Sequence, residues 1–274
     1  MHSSAHYRQL LARLPQIAVA ADQFQVLNSA KDFKSRILSL IAGATQRIYL
    51  IALYLQDDEA GREILSALYA AKQRNPALDI KVFVDFHRAQ RGLIGKGKQG
   101  GNHLMYQAMA ARHEHQIEIY GVPVKGRELL GVLHLKGFIF DDILLYSGAS
   151  LNDIYLHQQE RYRFDRYHQI HSQALTCSMV NYVDDVFLKS EAVQRLDRPG
   201  IPGAKQLKGQ IRRFKHNLRT SQYRFESIPA NSQEIAITPM VGLGKRGNQL
   251  NRMIRNLVRA TEREIFICTP YFNP

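Results

Sequence analysis

His134, Lys136 and Asp141 stand at the spacing His-x-Lys-x4-Asp, in the stretch His-Leu-Lys-Gly-Phe-Ile-Phe-Asp. Two residues apart on a strand, an imidazole and an ammonium point to the same face. Together they suit attack on a phosphodiester: the neutral imidazole is the nucleophile, and the lysine neutralises non-bridging phosphate oxygens. Asp141 ends the stretch, where a carboxylate can fix a neighbouring hydrogen-bond network. In Ser-Gly-Ala-Ser-Leu-Asn (147–152), Gly148 permits close approach, and Ser150 and Asn152 offer neutral hydrogen bonds to phosphate or to a base. With 11 His, 13 Lys and 13 Asp in 274 residues, the spacing arises by chance with a frequency of about 0.02. That frequency, the strand context and the turn outweigh the ordinary reading of a strand histidine beside a snorkelling lysine.

Other residues carry weaker signals. Asp85, His87, Arg88 and Arg91 follow a strand C-terminus, where α/β sheets bind ligands. Arg88 and Arg91 can grip a phosphate there, or be surface arginines in a basic loop. Alternation along 162–170 puts Arg166 and His168 on one face, while His157 reads as a polar loop residue. Gly242-Leu-Gly-Lys245 lacks the spacing and hydroxyl of a phosphate loop and reads as a turn.

The elements that must position these residues alternate between strand and helix. An amphipathic helix over 32–44, with Asp32 as N-cap, precedes a buried strand over 48–55. A helix over 57–73 and a strand over 78–85 follow, then a Gly- and Lys-rich loop, a helix near 103–112 and a strand over 117–120. Adjacent strands over 132–140 and 143–147 meet at an Asp141-Asp142 turn; a strand over 162–170 and a helix over 172–188 complete the set. The fold class is α/β, a mixed sheet flanked by helices.

Residues 1–190 therefore read as one lobe. Residues 191–235 read as a basic linker: 199–225 hold no acid but seven bases, Lys205, Lys208, Arg212, Arg213, Lys215, Arg219 and Arg224. Leu207, Ile211, Phe214 and Leu218 form an apolar stripe opposite that basic face. Such a helix suits an anionic membrane interface, with Phe214 inserted, or a bridge between lobes with a solvated basic face. Residues 236–274 repeat the first helix and strand: Ala260 and Thr261 match Ala44 and Thr45, and Tyr271 matches Tyr54. The two tyrosines can line a cleft or pack in the core. This reads as the start of a second, similar lobe of a longer protein.

The net charge of +13 calls for an anionic partner, whether nucleic acid, acidic membrane or phosphate-bearing substrate. Cys177 and Cys268 are too few for a disulfide framework or a Cys-rich zinc module. The longest apolar run, eight residues, is too short to span a bilayer, and Arg13, Pro15 and Gln16 interrupt the only stretch resembling a signal peptide. The expectation is a soluble or peripheral, cytoplasmic protein.

His-x-Lys-x4-Asp with its downstream Gly-Ala-Ser-Leu-Asn turn resembles the signature of the phospholipase D superfamily. IALYLQDD, KVFVDFHRAQRG, YGVP, GVLHLKGFIFDD, LYSGASLNDIYLHQ, YRFDRYH, TPMVGLGK and CTPYFNP resemble the type I phosphatidylserine synthases of Gram-negative bacteria. The resemblance implies a phospholipase D-like lobe and transfer of a phosphatidyl group from CDP-diacylglycerol to L-serine with release of CMP. It implies His134 as one of two catalytic histidines, Lys136 as the phosphate-binding lysine and Asp141 as the motif acid. It implies no metal or other cofactor, docking on anionic phospholipid at the inner face of the cytoplasmic membrane, and association with ribosomes. Arg88 and Arg91 then face the CDP pyrophosphate or a lipid phosphate. Two departures stand out: the turn is not Gly-Ser-x-Asn, and one His-x-Lys motif is present where the family carries two. The second half must come from a second lobe or a homodimer partner. Three alternatives stay open: a phospholipase D-type phosphodiesterase or nuclease, a cardiolipin synthase-like transferase, and an inactive lipid- or RNA-binding fragment.

Overall fold

The structure is a computed structural model that describes residues 3–91, 100–124, 133–242 and 248–267. Along the chain run α1 (Ser4–Ala12), β1 (Ile17–Ala20), β2 (Phe24–Leu27), α2 (Ala30–Gly43), β3 (Arg47–Ile51), α3 (Glu59–Arg74), β4 (Asp79–Asp85) and the single turn α4 (Phe86–Ala89). Then come α5 (His103–Ala110), β5 (Glu118–Val122), β6 (Gly137–Phe140), β7 (Ile143–Tyr146), β8 (Tyr167–His171) and α6 (Gln173–Tyr182), which continues as a π turn, Val183–Leu188. The chain closes with β9 (Gln194–Arg195), α7 (Lys208–Thr220), β10 (Glu234–Ile237) and α8 (Gln249–Ala260).

Eight strands form one mixed sheet in the order β2-β8-β7-β6-β3-β4-β5-β9. β3, β4 and β5 are parallel, and the other pairs are antiparallel. The α/β class with a mixed, helix-flanked sheet is thus as the sequence predicts. Both faces are covered, so the central strands read as unbroken apolar runs. Ile48, Leu50, Val82, Phe138 and Leu145 pack with α2, α3 and α5 on one face. Tyr49, Ile51, Phe83, Ile139 and Leu144 pack with α6, the π turn and α7 on the other.

Several boundaries shift for local reasons. Ser29, not Asp32, caps α2: its Oγ accepts from the Asp32 N–H and donates to the Asp32 carboxylate. The strand expected over 48–55 stops at Ile51, because the chain then leaves the ladder to pair Leu55 with Leu151. The strand expected over 132–140 begins at Gly137. Gly137 has φ +146°, a backbone conformation that favours glycine.

β1 pairs with β10 in a separate two-stranded sheet, Ile17 opposite Ile237, so residues 17–20 do not extend the large sheet. Arg8 on α1 pairs with Glu262 just beyond α8 at 2.5 Å. The helix of the predicted repeat is α8; residues 263–267 carry no strand, Phe266 is 87% exposed, and the rest of the predicted strand lies outside the described residues. Leu250, Ile254, Leu257 and Val258 leave an apolar face of α8 outward. Tyr271, Cys268, Gly244 and Lys245 lie outside the described residues.

Candidate active site

The C-terminal ends of β3 and β4 and the start of β6 converge at one edge of the sheet, as expected for a ligand site in a parallel α/β arrangement. Asp85 ends β4 and is 1% exposed. Its carboxylate accepts from the Arg88 N–H at 2.7 Å and from the Leu133 N–H at 3.0 Å. It therefore clamps the backbone beside His134 to the end of β4. This is also why 133–136 is not ladder: Leu133 spends its N–H on Asp85.

His134 and Lys136 accordingly precede β6 rather than sit on it. They still share a surface, for both line one cavity. Lys136 Nζ donates to Ser150 Oγ at 3.0 Å. Burial lowers the Lys136 ammonium to about 8, a drop opposed by the Asp165 carboxylate. Burial, then the Lys136 charge, also lowers the His134 imidazole from its usual value, while Asp85 raises it. A neutral imidazole beside an ammonium held in place by a hydroxyl is the state a phosphorus nucleophile requires.

Asp141 is elsewhere. The four residues of β6, about 13 Å at ~3.3 Å each, separate it from Lys136. Its carboxylate accepts from the N–H groups of Thr45, Gln46 and Arg47 at 2.9, 2.8 and 2.9 Å and from Thr45 Oγ1 at 3.0 Å. Those bonds outweigh the effect of burial and hold its pKa below the usual carboxylate value. Asp141 thus fastens the β6–β7 turn to the start of β3, a positioning role that fits the network expected of it, and it does not touch the reacting surface.

The remaining predicted residues divide. Asn152 Nδ2 donates to the Tyr54 hydroxyl at 3.4 Å, and the Arg88 guanidinium lies 5.2 Å from the Tyr54 ring centroid. Tyr54, Arg88 and Asn152 are thus one cluster, joined to Lys136 through Ser150. Asp58 fixes this segment by accepting from the Asp153 and Gly61 N–H groups. Arg91 is exposed, its N–H donating to the Arg88 carbonyl. Arg166 is exposed and precedes β8, so strand alternation does not pair it with His168. His168 pairs across the ladder with Tyr146, on the cavity side of the sheet, and its ring lies 5.2 Å from Phe24. His157 stacks on Tyr162 at 3.8 Å.

Three contributors escaped the sequence reading. Asp165 lies so close over Gly148 that a Cβ there would meet its Oδ2 at 2.7 Å, and it is the acid that acts on Lys136. Tyr182 and Tyr223 line the cavity from α6 and from beyond α7. No local pattern marks them, although the notable glycine at 148 hinted at a close neighbour. Among the described residues, no group of three or more His, Cys, Asp and Glu could hold a metal.

The basic helix is α7, and its apolar stripe is already used. Phe214 is 1% exposed and packs on Phe187 at 5.9 Å, so it cannot also insert into a membrane. The basic face stays outward: Lys205, Lys208, Arg212 and Arg213 are exposed and Lys215 is half-buried. Arg212, Arg213, Lys215 and Arg219 border a surface pocket of about 830 Å³.

No family model matches the chain. A CDP-diacylglycerol–serine O-phosphatidyltransferase of Haemophilus influenzae is 44% identical over 271 residues, 97% of this chain and 59% of that protein. The Escherichia coli enzyme of the same name is 44% identical over 268 residues, with the same two coverages of 97% and 59%. The crystal structure of the Haemophilus influenzae phosphatidylserine synthase superposes with a TM-score of 0.91 at 41% identity, covering 100% of this chain and 61% of that one. Over the aligned residues the chain is similar to these phosphatidylserine synthases in sequence and in fold. It spans about three fifths of the length of the curated relatives it matches. The mixed sheet with its flanking helices is the architecture shared with the phosphatidylserine synthase structure. Among the described residues, no helix is long and apolar enough to cross a membrane.

Proposed function

We propose that the chain forms one half of a phosphatidylserine synthase site of the phospholipase D type. A His134 ring nitrogen attacks the phosphatidyl phosphorus of CDP-diacylglycerol. The bond to the bridging oxygen breaks, and CMP departs with a proton from a second imidazole. The serine hydroxyl then attacks the same phosphorus while that imidazole takes its proton. The phosphorus–nitrogen bond breaks, releasing phosphatidylserine and free His134. Lys136, positioned by Ser150, neutralises the non-bridging oxygens. Tyr54, Arg88 and Asn152 hold the nucleotide side of the substrate, with Arg91 and His168 as outer contacts.

The chain contains one His-x-Lys-x4-Asp motif, so this mechanism draws its second imidazole from a second lobe or from a homodimer partner. The exposed apolar face of α8 fits such a partner surface. The basic face of α7, with Lys205, Lys208, Arg212, Arg213 and Lys215, supports docking on anionic phospholipid at the inner membrane face, and its charge also suits ribosomal RNA.

The observation that carries this reading is the neutral-imidazole and ammonium pair of His134 and Lys136 in a chain 44% identical to the named synthases. The test is CMP release from CDP-diacylglycerol in acidic liposomes, run on the complete gene product. Release that requires serine and disappears in His134→Ala is expected. Release without serine, or cleavage of DNA, overturns the proposal in favour of a phosphodiesterase.

A further inference from the structure

The cavity that His134 and Lys136 line has a volume of about 410 Å³. Its remaining wall is almost entirely apolar: Leu144 and Ile170 from the sheet, Leu175 and Met179 from α6, Leu218 from α7. His134 is exposed and Tyr146 half-exposed, so both stand at its opening, whereas Leu175 and Met179 are buried within. A second ionic site would not be built this way, because burying charge in such a wall is unfavourable. One polar group lies behind this wall. Tyr182 is 3% exposed, and its hydroxyl has no hydrogen-bond partner among the described residues. The Tyr223 ring lies against it at 4.9 Å.

We infer that this cavity takes one acyl chain of the phosphatidyl group. The inference deepens the reading proposed above and rests on it. The required ligand has a phosphate at Lys136 and a long apolar tail a few bonds away; a diacyl phospholipid has these in that order. A nucleotide or serine does not, since neither offers apolar surface to match the wall. At the ~30 Å³ of liquid volume that a water-sized group occupies, the space holds on the order of a dozen methylenes. That is enough for one chain and too little for two, so the second chain stays in the bilayer.

Calorimetric titration of the complete gene product with monomeric dibutanoyl- and dihexanoyl-phosphatidic acid tests this, with glycerol 3-phosphate as the chain-free control. Each methylene buried strengthens binding about fourfold, so two more on a single swallowed chain give about fifteenfold. Met179→Trp and Leu175→Phe each fill the cavity. Either is expected to leave glycerol 3-phosphate binding intact, which shows a folded site, and to reduce the chain-length gain below about threefold. An unchanged chain-length gain in both filled variants overturns the inference, as does wild-type binding of both lipids no tighter than glycerol 3-phosphate. These are binding measurements, so they separate from the proposed reaction: serine-independent CMP release with an intact chain-length gain refutes the reaction and leaves the cavity assignment standing.

Discussion

Replacing Asp141 distinguishes a positioning acid from a catalytic one. Its carboxylate accepts three backbone N–H groups and one hydroxyl, all between 2.8 and 3.0 Å. Hydrogen bonds to a charged group contribute about 1.5–3 kcal/mol each. The site is partly open to solvent and the bonds are not independent, so the lower end applies, and Asp141→Ala should cost about 3–4 kcal/mol. The backbone contributes too. Asp141 has φ +51°, a left-handed conformation that costs an alanine about 1–2 kcal/mol and a glycine almost nothing. The expected order of stability is wild type, then Asp141→Asn, Asp141→Gly and Asp141→Ala. At roughly 2–4 °C per kcal/mol in a chain of this size, Asp141→Ala should melt about 10 °C lower. Thermal unfolding followed by circular dichroism gives the order, and CMP release below the melting range gives the activity. Asp141→Asn is expected to retain substantial turnover, because its oxygen still accepts part of the network. A variant that melts like wild type and yet is inactive would refute the positioning role and return Asp141 to the chemistry. The sign with pH is fixed as well. The folded-state pKa is depressed, so this contribution is present above the unfolded carboxylate value near 3.9 and is lost as pH falls through the folded value.

On the proposed reaction, kcat/KM should trace a bell. Its acid limb follows protonation of His134, whose pKa lies below the usual histidine value, and its alkaline limb follows loss of the Lys136 charge near pH 8. In kcat the alkaline limb should move upward, because bound phosphate holds the ammonium charged; coincident limbs would argue against contact with phosphate. Phe214→Ala should destabilise by about 3–5 kcal/mol in a melting experiment, as expected for a fully buried aromatic. The double substitution Arg212→Glu and Arg213→Glu should leave the melting temperature within a degree or two but reduce sedimentation with anionic vesicles severalfold; the reverse pattern would exclude α7 as the docking face. Asp85→Asn keeps the shape but weakens the clamp on the Leu133 N–H, and should lower kcat more than it raises KM, as loss of alignment rather than of affinity.

The core of the fold was legible because its periodicities are local. Phe33, Ile37 and Ile41 recur at helical spacing, and the run around Ile48–Ile51 has the continuous apolar character of a strand buried on both faces. His134, Lys136 and Ser150 were legible for a different reason: chemistry restricts residue type and spacing more tightly than packing does. The same locality explains what was misread. The strand limits near Leu133 and Leu55 depend on hydrogen bonds to Asp85 and to Leu151, partners 48 and 96 positions away, and no window along the chain contains both ends.

The amphipathic stripe of α7 shows this limit most clearly. The spacing of Leu207, Ile211, Phe214 and Leu218 determined a helix with one apolar face, but spacing cannot say whether protein or lipid covers that face, because both remove the same area from water. Tertiary packing decided it by burying Phe214 on Phe187. Tertiary structure likewise decided that Asp141 is a clamp, that Asp165 rather than Asp141 is the acid acting on Lys136, that residues 17–20 pair with 234–237, and that Tyr182 and Tyr223 line a cavity beside His134. The sequence by itself determined which groups can do the chemistry. Only the folded chain, by bringing together residues far apart in sequence, decided which of them meet.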